Sequence, residues 1–296
     1  MVNPSRYILA TDKEVKMSSL YKVIKGKFYV TGYSPDGDSI RFEAITQSNW
    51  NFFSWKDGKN KKSKKKQLRF EAIDALETHY EESHQPRVLG IAALEVLLGL
   101  IEIQNVVYNL SLTRIYSAKD GTEGFIASQT LDTYDRPVSL IFPKDVNLND
   151  GDEIPLSKLP LNKCINVKMA KMGLVYPTFY STMEGGLLDL FTDITKTCRK
   201  NKVGLWALDK TSDFTLWNTS TISDDIVILP KLFRRLTTFF QECSDFSQLA
   251  GYLKEKKDKV KIRSTGKKVN LSDLLTINGR NIKFSHKPED LIFEPK

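Results

Sequence analysis

Three short segments, far apart in the chain, carry charged residues where a folded domain would ordinarily show apolar or turn residues. They are Pro35-Asp36-Gly37-Asp38-Ser39, then Leu68-Arg69-Phe70-Glu71-Ala72-Ile73-Asp74-Ala75-Leu76-Glu77-Thr78, then Asp132-Thr133-Tyr134-Asp135-Arg136-Pro137-Val138. Cleaving a phosphodiester calls for what these segments hold. Cationic donors stabilise the charge on a pentavalent phosphorane, a carboxylate positions the attacking water, and oxygen ligands hold a hard divalent cation. Arginine suits the first role because its planar fork bonds two phosphate oxygens at once and stays charged at any working pH. Taken singly, Asp36-Gly37-Asp38 is most often a turn, and Arg69 beside Glu71 or Asp74 an ordinary ion pair. The signal lies in Asp38, Arg69, Asp74, Glu77 and Arg136 taken together.

The surrounding text predicts what positions them. From Leu20 to Ile45 short apolar stretches are separated by Ser34 to Asp38, where Pro35 and Asp36-Gly37 predict a tight hairpin turn. Residues 56–66 read as an exposed loop and residues 67–73 as a third strand, so a small antiparallel barrel is expected. Residues 85–103 switch to helical spacing, with Leu89, Ala92, Ala93, Val96, Leu97 and Leu100 on one stripe. Strand-like alternation returns over residues 105–117 and 125–143, and further helices are predicted at about 161–172 and 184–201, an α+β order. After Trp206 the composition shifts. Residues 211–225, rich in Ser, Thr and Asp, read as a linker, with helices expected at 228–242 and 245–257 and a hairpin turned by Asn278-Gly279. The expected organisation is an N-terminal arm (residues 1–19), a barrel domain (20–210), and a mainly helical C-terminal extension (211–296) without a nameable catalytic pattern.

The net charge of +8 is concentrated in two places: residues 56–66 carry seven Lys against one Asp, and residues 254–268 carry eight Lys or Arg against two acids. Two basic patches on a mildly acidic body predict a polyanionic partner, nucleic acid before membrane, because no amphipathic aromatic face accompanies them. A solvated surface loop is the plainer alternative for either patch. Cys164, Cys198 and Cys243 form no CxxC, and His79, His84 and His286 are scattered, so neither a zinc centre nor a Ser-His-Asp arrangement is expected. The first twenty residues lack a secretory apolar stretch, and the run from Leu89 to Ile101 is too short to cross a bilayer, so a cytoplasmic location is expected. Nothing in the sequence speaks to oligomeric state.

In order and spacing these residues resemble the thermonuclease (micrococcal nuclease) family. The family's DGD turn stands here as Asp36-Gly37-Asp38. Its R-x4-D-x-P-E segment stands as Arg69, Asp74, Ala75, Leu76 and Glu77, and its Y-G-R segment as Tyr134-Asp135-Arg136. The resemblance continues in Asn162, in Gly173-Leu174-Val175-Tyr176 and in Gly204-Leu205-Trp206, covering roughly residues 20–208. It implies a five-stranded OB-fold-like β-barrel with about three helices, and a calcium-dependent nuclease acting on DNA or RNA and leaving 3′-phosphate ends. Calcium would be held by Asp38, Asp74 and the carbonyl of Ala75. Glu77 would orient or deprotonate the water, and Arg69 and Arg136 would clamp the phosphate. Tyr134 would touch a nucleotide phosphate, and Tyr176 or Tyr180 would face a base. By the same analogy single strands are favoured, because bases must splay to reach such a pocket.

Lys61, Lys62, Lys64, Lys65 and Lys66 are the expected auxiliary phosphate contacts. Three positions depart from the family pattern: Ala75 stands for Thr, Leu76 for Pro, and Asp135 for Gly beside the key arginine. Leu76 is expected to loosen the Glu77 loop, and Asp135 to compete for Arg136. The rival expectation is a module on the same fold that binds nucleic acid or protein without cutting.

Overall fold

The structure is a computed structural model that describes residues 20–243 and 245–295; the expected arm of residues 1–19 lies outside them. Five strands close a barrel: β1 (Tyr21–Tyr29), β2 (Ser39–Ala44), β3 (Lys65–Phe70), β7 (Thr122–Leu131) and β8 (Pro137–Pro143). β1, β2 and β3 run as an antiparallel meander, β3 lies parallel to β8 with Arg69 opposite Val138, and β8 pairs β7, which returns to β1. Alternation sends Phe28, Phe42, Leu68, Phe70, Ile126, Leu140 and Phe142 inward, all fully or nearly fully buried. Between β3 and β7 come β4 (Ile73–Ala75), the helix α2 (Arg87–Leu100) and a hairpin of β5 (Gln104–Tyr108) and β6 (Ile115–Lys119). After β8 come β9 (Glu153–Ile154), α3 (Ile165–Lys171), β10 (Val175–Pro177), β11 (Phe179–Tyr180) and α4 (Gly185–Lys200). The whole is a mixed α+β fold around a closed five-stranded barrel.

Several expectations are corrected. The β1–β2 connection is a loop over residues 30–38, held by Asp120 and Ile115, in place of a tight hairpin turn. The basic loop contains a short helix, α1 (Gly58–Lys62), and Lys65 and Lys66 already belong to β3. Helix α2 buries Ala93, Leu94, Leu97 and Leu98, a face turned from the predicted stripe, because a helix that is apolar nearly all round does not announce which side is inward. Two glycines of the family-like segments meet. A Cβ on Gly173 would lie 2.3 Å from the Val203 carbonyl oxygen, one on Gly204 would lie 2.3 Å from that of Gly173, and both residues have positive φ.

The C-terminal extension is mixed, not mainly helical. Its helices α5 (Pro230–Glu242) and α6 (Leu249–Glu255) stand among the short strands β12 (Asp213–Thr215), β13 (Lys259–Ile262), β14 (Lys268–Asn270), β15 (Leu275–Asn278), β16 (Asn281–Phe284) and β17 (Leu291–Phe293). The expected β15–β16 hairpin forms, turned one residue on at Gly279-Arg280, with Asn278 paired to Asn281. The supposed linker is folded, with Phe214, Leu216 and Ile222 buried. The extension shares one hydrophobic core with the barrel, and β17 adds in parallel to β11. Gln85, from the segment after Glu77, donates to the Ile228 carbonyl at 2.7 Å. No helix among the described residues is long and apolar enough to cross a membrane.

Candidate active site

Asp38, Arg69, Asp74, Glu77 and Arg136 line one cleft of about 630 Å³, together with Tyr134, Tyr180 and Lys56. Topology brings them there. Register pairs Ser39 with Arg69, and the Phe70 amide donates to the Asp38 carbonyl at 2.9 Å, so the loop before β2 is stitched to the end of β3. Gly37 makes the approach possible: a Cβ there would lie 2.9 Å from the Cβ atoms of Ala75 and Ala93. After β3 the chain reverses at Ala72, whose φ of 70° is unusual for a residue with a side chain, and β4 then carries Asp74 back against the cleft. β4 is braced by β10, with Val175 opposite Ala75.

The loop bearing Glu77 is clasped rather than loose. Gln85 accepts from the Glu77 amide at 3.3 Å and its own amide donates to the Glu77 carbonyl at 2.8 Å, while Leu76 is buried. Arg136 is held by the β7–β8 turn: Asp132 accepts from the Tyr134 and Arg136 amides and from Arg136 Nε at 2.7 Å. The expected competitor Asp135 points elsewhere. It adopts a φ of 57°, where glycine is free of strain and Asp is tolerated, and its carboxylate accepts from the Lys56 and Asp57 amides.

The remaining expected residues divide. The Tyr180 ring lies 5.7 Å from the Arg69 guanidinium, and Tyr134, 75% exposed, lies 5.5 Å from that of Arg136. Tyr176 is fully buried, packs against Trp206 and donates to Asp209 at 2.7 Å, so it presents no face to the cleft. Lys61, Lys62 and Lys64 are exposed. Lys65 lies over the Tyr29 ring at 3.5 Å. Lys66 is buried against Trp55, donates to the carbonyls of Asn60 and Lys61, and is pushed down to about 8 by burial. Asn162 is exposed. The asparagine with structural work is Asn166 on α3, which accepts from the Ile141 amide and donates to the Glu71 and Ser139 carbonyls. The second basic patch is partly neutralised within the fold through Lys256 to Glu242, Arg263 to Asp189 and Lys268 to Glu294.

Arg234 is the residue that sequence reasoning missed. Helix α5 of the extension sends Lys231, Arg234 and Arg235 to the cleft. Arg234 donates to Asp74 Oδ2 at 2.8 Å and Oδ1 at 3.3 Å, and also to Glu77 Oε1. Arg69 stands 3.9 Å from the same Asp74. A signal is present in the spacing, since positions 231, 234 and 235 share a helix face.

Electrostatics separates the three acids. Burial lifts Asp38 well above the usual carboxylate range, with Asp36 and Asp74 adding and Arg69 opposing. Burial also works against the charge on Asp74, yet Arg234 and Arg69 hold it below its ordinary value. Glu77 is raised to about 7, again by burial, with Arg234 opposing. Asp38 and Asp74 offer oxygens of the kind a hard divalent cation takes, and such a cation would offset the burial and the repulsion that lift Asp38. No three His, Cys, Asp or Glu side chains among the described residues gather into a ready cage. No protein-family model matches the chain, and the search of curated proteins finds no match.

Proposed function

We propose that the chain is a phosphodiesterase of the thermonuclease type, on an OB-like barrel, hydrolysing single-stranded DNA or RNA to 3′-phosphate ends. The observation that carries it is the convergence on one cleft of Asp38, Arg69, Asp74, Glu77 and Arg136, residues drawn from three separate segments. Asp38 and Asp74 would hold calcium, with the Ala75 carbonyl. When bound, that cation would neutralise charge on a phosphoryl oxygen.

The chain's own residues account for the rest. Arg69 and Arg136, from β3 and the β7–β8 turn, offer fixed guanidinium donors to the non-bridging oxygens as charge grows on them. Glu77, freed from Arg234, takes a proton from the attacking water as the general base of the cleft. The P–O5′ bond breaks, and the departing 5′-oxygen takes up a proton from solvent to leave as a hydroxyl, the phosphate staying on the 3′-oxygen. Tyr180, beside Arg69, is one aromatic surface of the cleft that could take a base.

The test is hydrolysis of single-stranded DNA and RNA by the full chain with calcium or with chelator, scored for 3′-phosphate ends. Full activity in excess chelator removes the cation from the proposal, and no hydrolysis under any condition favours a binding module. One observation supports that second reading: Glu77 and Arg136 are engaged by Arg234 and Asp132.

A further inference from the structure

We infer that Arg234 is the built-in counter-cation of this cleft, a positioning residue of the C-terminal extension that holds Asp74 and Glu77 and that a divalent cation must displace. The inference rests on the functional reading above, in that Asp74 is taken as a cation ligand.

The geometry is that of a guanidinium fitted to two carboxylates. Its two terminal nitrogens cover both oxygens of Asp74, and one of them reaches Glu77 as well. A cation ligand and a general base are thereby tied by one side chain. Hydrogen bonds to charged groups are the strong ones, and here they form where water is largely excluded. Asp74 is 2% exposed and the Arg234 side chain 19%.

The arginine is presented by a firmly anchored helix. Leu232, Phe233 and Leu236 of α5 are fully buried, Phe233 meets Tyr80, and Arg235 makes a two-pronged pair with Asp258 at 2.5 and 2.7 Å. Withdrawal of the whole helix would disrupt that core, so the exchange must be made by the Arg234 side chain swinging on a fixed α5. The cleft of about 630 Å³, lined also by Tyr180 and Arg136, gives it somewhere to go. A guanidinium that leaves a carboxylate is matched equally well to a phosphate oxygen of a bound strand. The site without metal is thus neutralised and held in shape, and loading is a competition between Arg234 and the incoming ion for Asp74.

Calorimetric titration of the full chain with calcium chloride tests this without reference to hydrolysis. Arg234→Ala should bind calcium more tightly than the wild type by roughly tenfold to a hundredfold, the equivalent of one charged hydrogen bond no longer broken on loading. Arg234→Lys, with one ammonium for two guanidinium nitrogens, should fall between them and covers the case in which the alanine variant does not fold. Equal affinity in wild type and Arg234→Lys, or no calcium binding by any form, overturns the inference. The functional reading fails separately: if the wild type hydrolyses neither single-stranded DNA nor RNA with calcium while calcium affinity still rises on removing Arg234, displacement stands and the nuclease falls.

Discussion

The barrel and the C-terminal extension supply one cleft in opposite ways. The barrel contributes its charges from backbone positions fixed by strand register: Arg69 lies opposite Ser39 and Val138, and Arg136 is locked by Asp132 at a hairpin turn. The extension contributes, beside Glu294 and Pro295, a helix face that reaches Asp74 across 160 residues of chain. Charges placed by neighbouring strands are spaced by the sheet itself and so leave a recurrent spacing in the sequence. A charge delivered by a distant helix leaves only an amphipathic pattern, which most surface helices share. The two regions differ in legibility, therefore, and not in proximity to the chemistry.

The strongest way to break the comparison is to remove one partner. Because the two regions share a core, pair β11 with β17 and exchange the Gln85–Ile228 hydrogen bond, deletion of residues 211–296 should abolish the sharp thermal transition of the remainder, followed by circular dichroism. A cooperative melt of the truncated chain near the wild-type temperature would mean the extension is a separate domain that merely leans on the site.

Next in size are the barrel's own charges. Arg69→Ala and Arg136→Ala should each lower kcat for single-stranded DNA by roughly two to three orders of magnitude, since each donor acts where charge develops. Glu77→Gln should do likewise with nucleic-acid affinity nearly intact. Wild-type turnover in Glu77→Gln would make Glu77 a structural partner of Arg234 alone.

Two carboxylates on the same chain reversal sharpen the contrast further. Asp74 has the extension's arginine and stays charged, whereas Glu71 is buried beside Tyr21, Glu184 and Cys164 without a cation and is raised to about 8 by burial, Tyr21 opposing and Glu184 adding. Its folded pKa lies above the ordinary value of 4.5, so between the two the folded chain holds a proton that the unfolded chain has lost. Stability from this group is complete below about pH 4.5 and declines as pH rises through 8, by on the order of 3 to 5 kcal/mol. Urea midpoints for the wild type should fall between pH 5 and 9, and Glu71→Gln should flatten that decline. An unchanged slope in the variant would assign the pH dependence elsewhere.

Most of the barrel and the three longer helices around it can be read from period and turn residues, and so can the five charged positions. The failures have physical causes. Asp36-Gly37 has the composition of a hairpin turn, but Gly37 is there for close approach to Ala75 and Ala93. Tyr176 has the chemistry of a base platform, but β10 is buried along its whole length and Tyr176 packs against Trp206 and donates to Asp209, which no local pattern reveals. Asp135 is adjacent to Arg136 in the chain, yet its left-handed backbone turns the carboxylate towards Lys56 and Asp57. Arg234 shows in the sequence only as one of three cations on a helix face, because its partners lie in another part of the chain.

The smallest expected effect concerns the basic loop, where barrel and solvent compete for the lysines. The loop is tied to the cleft wall, since Asp135 accepts from the Lys56 and Asp57 amides next to Arg136, and Lys56 itself lines the cleft. Its lysines are not equivalent. Lys66 is buried under Trp55 and spends its ammonium on the loop's own carbonyls, so replacing it would loosen the loop rather than report on phosphate binding. Lys61, Lys62 and Lys64 are exposed, where each can displace a counterion from a single strand. Changing these three to Gln should lower the slope of log affinity against log salt by roughly 0.7 for each phosphate that is no longer neutralised. KM should rise at physiological salt with kcat close to unchanged, because such charges hold substrate equally in ground and transition states. A slope identical to that of the wild type would make the loop a solvated brace for the Arg136 turn, leaving phosphate binding to the arginines of the cleft.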